Sequence, residues 1–186
     1  MLIPPEALPG GVLLRLVSVD DAEALCFAYR ANREYLAPWE PHRPDSFFTA
    51  DGQAERITER LRECAQRRSV PWVLDSAGTI VGTVTLSGMT FGPFCSAYLG
   101  YWVAADRQGR GLAGASVARV CHVARDTIGL HRLEATTLLD NAPSQRVLEK
   151  NGFELIGTAP RYLHINGRWR DHRLFQRILH DGPPPA

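Results

Sequence analysis

The chain has 186 residues, of which 45% are hydrophobic and 22% charged, and its formal net charge is +1. That length supports one compact domain of mixed class over 1–180 and leaves two full domains cramped. A charge so near zero provides no global field to recruit nucleic acid or an anionic membrane, and no apolar run approaches the roughly 20 residues that span a bilayer.

The opening residues Met1-Leu2-Ile3-Pro4-Pro5 lack the basic and long apolar regions of a signal peptide. A first strand is expected at 13–17. A helix follows from Asp20, with Leu25, Ala28, Tyr29, Asn32 and Leu36 on one side, and stops before Pro38. The stretch Pro38-Trp39-Glu40-Pro41-His42-Arg43-Pro44 can be neither helix nor central strand. A second helix, 50–67, carries Ala54, Ile57, Leu61, Cys64 and Ala65 at helical spacing. The period then changes: Trp72-Val73-Leu74, a turn at Asp75-Ser76-Ala77-Gly78, and 80–87 read as a hairpin.

A further strand, 97–104, leads into Asp106-Arg107-Gln108-Gly109-Arg110-Gly111-Leu112-Ala113-Gly114. The helix after it, 112–128, buries Ala113, Val117, Val120, Cys121, Ala124 and Ile128, and Gly129 ends it. A strand at 132–139, a short helix at 143–150 closing on Asn151-Gly152, and strands near 154–158 and 173–179 follow. The tail, 181–186, is proline-rich and expected to be loose. Hairpin-linked strands followed by a β-α-β crossover predict a mixed sheet with flanking helices, an α/β (α+β) fold.

Cys26, Cys64, Cys95 and Cys121 are far apart and show no C-x-x-C spacing. Three of them fall on the apolar phase of a helix, so buried free thiols in a reducing cytosol are expected. The six histidines show no metal-ligand spacing; His122 is alone on its helix and is expected to pair with Asp126, so no metal site is expected.

The glycine loop carries the chemistry. Glycines between a strand and a helix let backbone N–H groups converge, and with the helix dipole they form a seat for phosphate. Gly109-Arg110-Gly111-Leu112-Ala113-Gly114 fits G-x-G-x-x-G, the dinucleotide fingerprint, with Glu134 twenty residues beyond Gly114. Three points oppose that reading. Four residues, 105–108, separate strand from glycine. The strand Tyr98-Leu99-Gly100-Tyr101-Trp102-Val103 is not the continuous aliphatic run of a strand covered on both faces. Only about 70 residues follow, too few for the rest of a doubly wound sheet. The alternative is Gln108-Gly109-Arg110-Gly111-Leu112-Ala113, which fits the Q/R-x-x-G-x-G/A loop that holds acyl-CoA pyrophosphate in the GNAT N-acetyltransferases.

The resemblance extends over most of the chain. Tyr35 to Pro41, Tyr98 to Tyr101, Asn141 to Ser144, Glu149 to Phe153 and Tyr162 to His172 resemble, in order and spacing, the Rim-type ribosomal-protein-alanine N-acetyltransferases. It implies a GNAT fold: a mostly antiparallel sheet whose central parallel pair, 98–104 and 132–139, splays apart to admit acetyl-CoA. Pantetheine would pair with the backbone of Trp102, Val103 and Ala104, and a backbone N–H near Trp102 or Val103 would stabilise the oxyanion. The loop Gln108 to Gly114, with Gly109, Arg110, Gly111, Leu112 and Ala113, would hold the pyrophosphate, although Arg110 reads equally as a solvated loop residue. Asn141 would contact pantetheine.

The catalytic pair implied is Ser144 and Glu40. Ser144 stands where many GNAT enzymes place an acidic tyrosine, yet Asn141, Pro143 and Ser144 also read as an ordinary helix start. Leu163 occupies the position at which some Rim-type enzymes carry a glutamate base, so that role does not transfer. Glu40 takes its place in this reading, either drawing in the acceptor ammonium or accepting its proton through water; a rim pairing with His42 or Arg43 is the other reading. Trp39, Glu40 and Tyr162 would bind the acceptor. The implied reaction is direct attack of a neutral amine on the thioester, without an acyl-cysteine. The acceptor is expected to be a protein N-terminus, with a small-molecule amine as the alternative, and a non-catalytic acyl-CoA module or an oxidoreductase behind these. Neither direct nucleic-acid binding nor membrane association is expected, and both monomer and homodimer stay open.

Overall fold

In the computed structural model, which describes residues 3–184, eight strands form one sheet. They are β1 (Glu6–Leu8), β2 (Val12–Leu16), β3 (Val70–Ser76), β4 (Thr79–Thr90), β5 (Ser96–Val103), β6 (Arg132–Leu138), β7 (Glu154–Ile165) and β8 (Arg168–Ile178). The helices are α1 (Ala22–Ala31), α2 (Arg33–Leu36), α3 (Ala50–Ala65), α4 (Leu112–Val123) and α5 (Ala142–Lys150). The strand order is β1-β2-β3-β4-β5-β6-β8-β7. All neighbours are antiparallel except β5 and β6, which α4 connects as a parallel pair requires.

The sheet is covered on both faces. Tyr101 and Trp102 are adjacent in β5, so their side chains point to opposite sides. Trp102 Nε1 donates to the Tyr29 hydroxyl of α1 at 3.2 Å, whereas Tyr101 reaches Ser144 of α5. Trp72, Leu74, Val84 and Leu86 of the hairpin are almost fully buried, as are Val117, Val120, Leu133 and Phe175. Each such side chain contributes about 1.5–3 kcal/mol by leaving water. Arg15 of β2 clamps the entry to α1, donating to both oxygens of Asp21 at 2.7 and 2.8 Å and to Asp75 at 2.9 Å. Burial raises the Asp21 pKa, but Arg15 and the Ser18 N–H outweigh it and hold this carboxyl below its ordinary value.

The structure departs from the sequence expectations at several points. β1 is an added strand; its three residues are too few to show a period. The single helix expected from Asp20 breaks at Asn32, where the backbone leaves helical geometry (φ −107°, ψ 12°). The buried Asn32 side chain donates to the Ala28 carbonyl and accepts from the Ala105 N–H, each at 2.9 Å. This ties the helix break to the loop after β5. Beyond α4, Ala124–Ile128 form a π turn that keeps Ala124 and Ile128 buried before Gly129 (φ 80°) ends the helix. β7 and β8 are longer than expected, and β7 is bulged at Leu155/Gly157 and Ala159/Leu163. Asp126 pairs with Arg125 at 2.7 Å rather than principally with His122. All four cysteines are free; Cys26, Cys95 and Cys121 are buried and Cys64 half-buried. Among the described residues, no helix is long and apolar enough to cross a membrane.

Candidate active site

The parallel pair parts soon after it forms. β5 and β6 are in register only over Ser96, Ala97 and Tyr98 against Arg132, Leu133 and Glu134. Beyond them β5 stays with β4 to Val103, while β6 stays with β8 to Leu138. The gap has unmatched backbone on both walls. In β5 the direction follows from alternation: Ala104 N–H donates to Val81 O at 2.8 Å, so Trp102 and Gly100 also face β4, and Tyr101 and Val103 turn their N–H and C=O into the gap. Thr137 of β6 adds a buried hydroxyl with no partner among the described residues. Such groups are costly unless a ligand meets them.

A cleft of about 460 Å³ runs from the gap to the glycine loop. Gly109 (φ 70°) and Gly111 (φ 76°) adopt the left-handed conformation, and a Cβ on either would project into open space. Gly111 caps α4 without any side-chain hydrogen bond, so the first N–H groups of this helix have no partner within it. Arg107, Arg146 and Lys150 also line the cleft. A cradle of free N–H groups at a helix start, flanked by cations, fits a pyrophosphate. The two walls of the gap fit an extended amide-bearing arm.

Where the cleft meets the gap, the Tyr101 hydroxyl lies 2.9 Å from Ser144 Oγ and 3.2 Å from the Ser144 carbonyl. Burial pushes the Tyr101 pKa up to about 12, although the Ser144 hydrogen bond acts to lower it. Asn141 Oδ1 caps α5 by accepting from the Ser144 N–H at 3.2 Å. The buried Gln145 donates to the carbonyls of Leu138 and Leu139 and accepts from Arg173, fastening the first turn of α5 to the end of β6. Ser144 is therefore held over the gap by neighbours on both sides.

A second cleft, of about 450 Å³, lies beside α2 and the proline-rich loop. Its walls include Phe47, Phe48, Arg33, Arg43 and His164, and Glu40 lines both this cleft and the gap. Arg43 Nε donates to Glu40 Oε2 at 3.4 Å.

The sequence pattern of the acetyltransferase (GNAT) domain family matches residues 12–154. The chain belongs to the GNAT acetyltransferase family. The [ribosomal protein uS5]-alanine N-acetyltransferase of Escherichia coli is 32% identical over 93% of the chain and 90% of its own length. The crystal structure of a ribosomal-protein-S5-alanine acetyltransferase from Vibrio fischeri superposes with a TM-score of 0.92 at 31% identity, covering 96% of this chain and 98% of that one. Mycobacterium smegmatis RimJ in complex with CoA-disulfide gives 0.89 at 35% identity, covering 94% and 86%. This GNAT chain is an acetyl-CoA-dependent N-acetyltransferase.

Against this GNAT geometry the expected site residues divide. Trp102, Val103, Gln108, Gly109, Gly111, Leu112, Ala113, Gly114, Asn141 and Ser144 all line the long cleft. Ala104 does not, and its N–H is already committed to Val81. Arg110 is exposed and also outside the lining. By alternation the N–H available to an oxyanion belongs to Val103 or Tyr101, not Trp102. Trp39 stands on the long cleft and the gap rather than in the second cleft. Tyr162 lines none of these clefts and packs its ring 5.5 Å from His172; its neighbours Leu163 and His164 reach them instead. Tyr35, Tyr101, Arg146, Lys150 and His172 line the site without having been singled out. The spacing of Arg146 and Lys150, one helical turn apart after Asn141, was the one available signal.

Proposed function

We propose that the chain acetylates the α-amino group of a protein N-terminus, that of a ribosomal protein among the candidates. The observation that carries this reading is the junction at Glu40, where a groove of about 450 Å³ opens onto the gap between β5 and β6. Glu40 is the one carboxylate among lining residues that otherwise include two arginines, two histidines and two phenylalanines, which weighs against an aminoglycoside-like polyamine.

Acetyl-CoA supplies an activated acetyl thioester. The loop Gly109–Gly114 would hold its pyrophosphate, and the backbone of Tyr101 and Val103 would pair with its arm. Glu40 draws the acceptor ammonium to the junction and relays its proton through water. A backbone N–H of β5 faces the charge that develops on the carbonyl oxygen. Tyr101, which burial keeps protonated, shares a hydrogen bond with Ser144 Oγ and so positions the serine hydroxyl to face the departing sulfur. No strong base is needed for an α-amine: with a pKa near 8, roughly a tenth is neutral at pH 7, against well under a thousandth of a lysine side chain near 10.4. Initial rates on peptides matched except for a free α-amine or a free lysine ε-amine test this. The α-amine is expected to react faster, and faster acetylation of lysine rejects the reading.

A further inference from the structure

The acceptor groove carries more cationic charge than the protein around it neutralises. Arg33 pairs only with Asp45, an almost fully exposed carboxylate, at 3.3 Å. Arg43 is shared with Glu40. Arg56 sits behind the groove with its guanidinium 4.4 Å from the Phe47 ring centre, and its buried Nε has no partner. Burial, and then the like charge of Arg60, lower the Arg56 pKa. Among the described residues no carboxylate bridges to Arg56 or Arg60; Arg60 donates to Thr85 instead. The chain as a whole is close to neutral, so this excess is local. Glu40 acts on Arg56 from a distance, but a half-buried arginine held beside other arginines with no carboxylate bonded to it is electrostatically unfavourable until an anion arrives.

We infer that the acceptor is a peptide whose first few residues include an acidic side chain, which docks on the Arg33 and Arg43 face, with Arg56 behind it, while the α-amine reaches Glu40. The inference rests on the α-amino reading above and narrows it. The dimensions agree: a groove of about 450 Å³ encloses something the size of a small ligand, so the anion must lie within a few residues of the amine. The aromatic faces of Phe47 and Phe48 carry Arg43 and Arg33 at 4.8 and 4.2 Å, which holds the guanidiniums in place for a carboxylate.

The test is a peptide series that differs only at the second and third positions: Ala-Glu-Glu, Ala-Gln-Gln and Ala-Lys-Lys leaders on one neutral tail, with free alanine as a further arm. Steady-state kcat/KM is measured at low and high salt. The acidic leader is expected to exceed the lysine leader by at least tenfold. The difference should shrink in high salt, and shrink or invert in Arg33→Glu, whose folding is checked by an unchanged thermal shift with CoA. Turnover of all three leaders at equal rates, or a preference for lysine, overturns the inference and leaves the α-amino reading intact. Turnover of free alanine above every peptide overturns it in favour of an α-carboxylate as the anion. Failure of every peptide and of alanine removes the α-amino reading itself.

Discussion

Tyr101 on β5 and Ser144 on α5, 43 residues apart in sequence, bring their side-chain oxygens to 2.9 Å at the mouth of the strand gap. The pair has a consequence for catalysis. Tyr101→Phe removes the hydroxyl that orients Ser144, and Ser144→Ala removes the group that would face the leaving sulfur in the proposed reaction. Each is expected to lower kcat by about 100-fold, the lower end of the scale of a lost acid catalyst, with little change in KM for acetyl-CoA. Because the contributions share one hydrogen bond, the double variant should lose less than the product of the two. A double variant that is strictly multiplicative would separate the two residues.

The same pair sets a pH expectation. Burial pushes the Tyr101 pKa up to about 12, so its hydroxyl stays protonated throughout the neutral and mildly alkaline range. The kcat/KM profile should therefore rise with deprotonation of an acceptor amine near pH 8 and show no descending limb below about pH 10. A bell with a descending limb near pH 8–9 would assign the donor to another group.

Gly111 is a position in the glycine loop where a side chain would reach the cleft without meeting the protein. At φ 76° an L-residue is strained by roughly 1–2 kcal/mol, yet a Cβ there meets nothing in the protein. Gly111→Val should therefore fold, with a modest fall in melting temperature, while KM for acetyl-CoA rises at least tenfold. Ala113→Leu should act in the same direction without the backbone strain. Thermal shifts with CoA read both, and a Gly111→Val protein with unaltered CoA affinity would remove the loop from the phosphate site.

Glu40 lies where groove and gap meet. Glu40→Gln keeps the shape and removes the charge. KM for a peptide acceptor is expected to rise about tenfold, one charged hydrogen bond, with KM for acetyl-CoA unchanged. An equal rise in both constants would indicate a general distortion of the proline-rich loop.

Arg15 is a stability prediction remote from the site. Arg15→Ala leaves Asp21 and Asp75 unpaired and should cost about 2–3 kcal/mol at pH 7, or several degrees of melting temperature for a chain of this size. The folded Asp21 pKa lies below its unfolded value, so its contribution is present above about pH 4 and lost as pH falls through the folded pKa. The gap between wild type and variant should therefore narrow in acid; a constant gap down to pH 3 would contradict this sign.

Much of the cofactor cleft was legible because its conformations demand particular residues. Left-handed turns demand glycine, and Asn141 followed by Pro143 marks a helix start. The Tyr101–Ser144 contact was not, because it depends on how far β5 and β6 diverge. The exclusion of Ala104 likewise depends on strand register, since one residue reverses which way an N–H points. Trp39 and Tyr162 lie away from the second cleft for a related reason. Trp39 hangs from a turn at Leu36, and Tyr162 follows Arg161, a bulge residue at φ 50° that re-aims the strand. Local periodicity carries neither piece of information.

The brief pairing of β5 and β6 gives the molecule a mechanical character. Among the described residues, three matched residue pairs are the only ladder joining a five-stranded plate to a three-stranded one. Such a seam behaves as a hinge with a missing rung, and an arm lying along the opening works as a strut across it. Binding should then be felt far from the ligand, as slower amide exchange along both free edges and a narrower spread of angles between the plates.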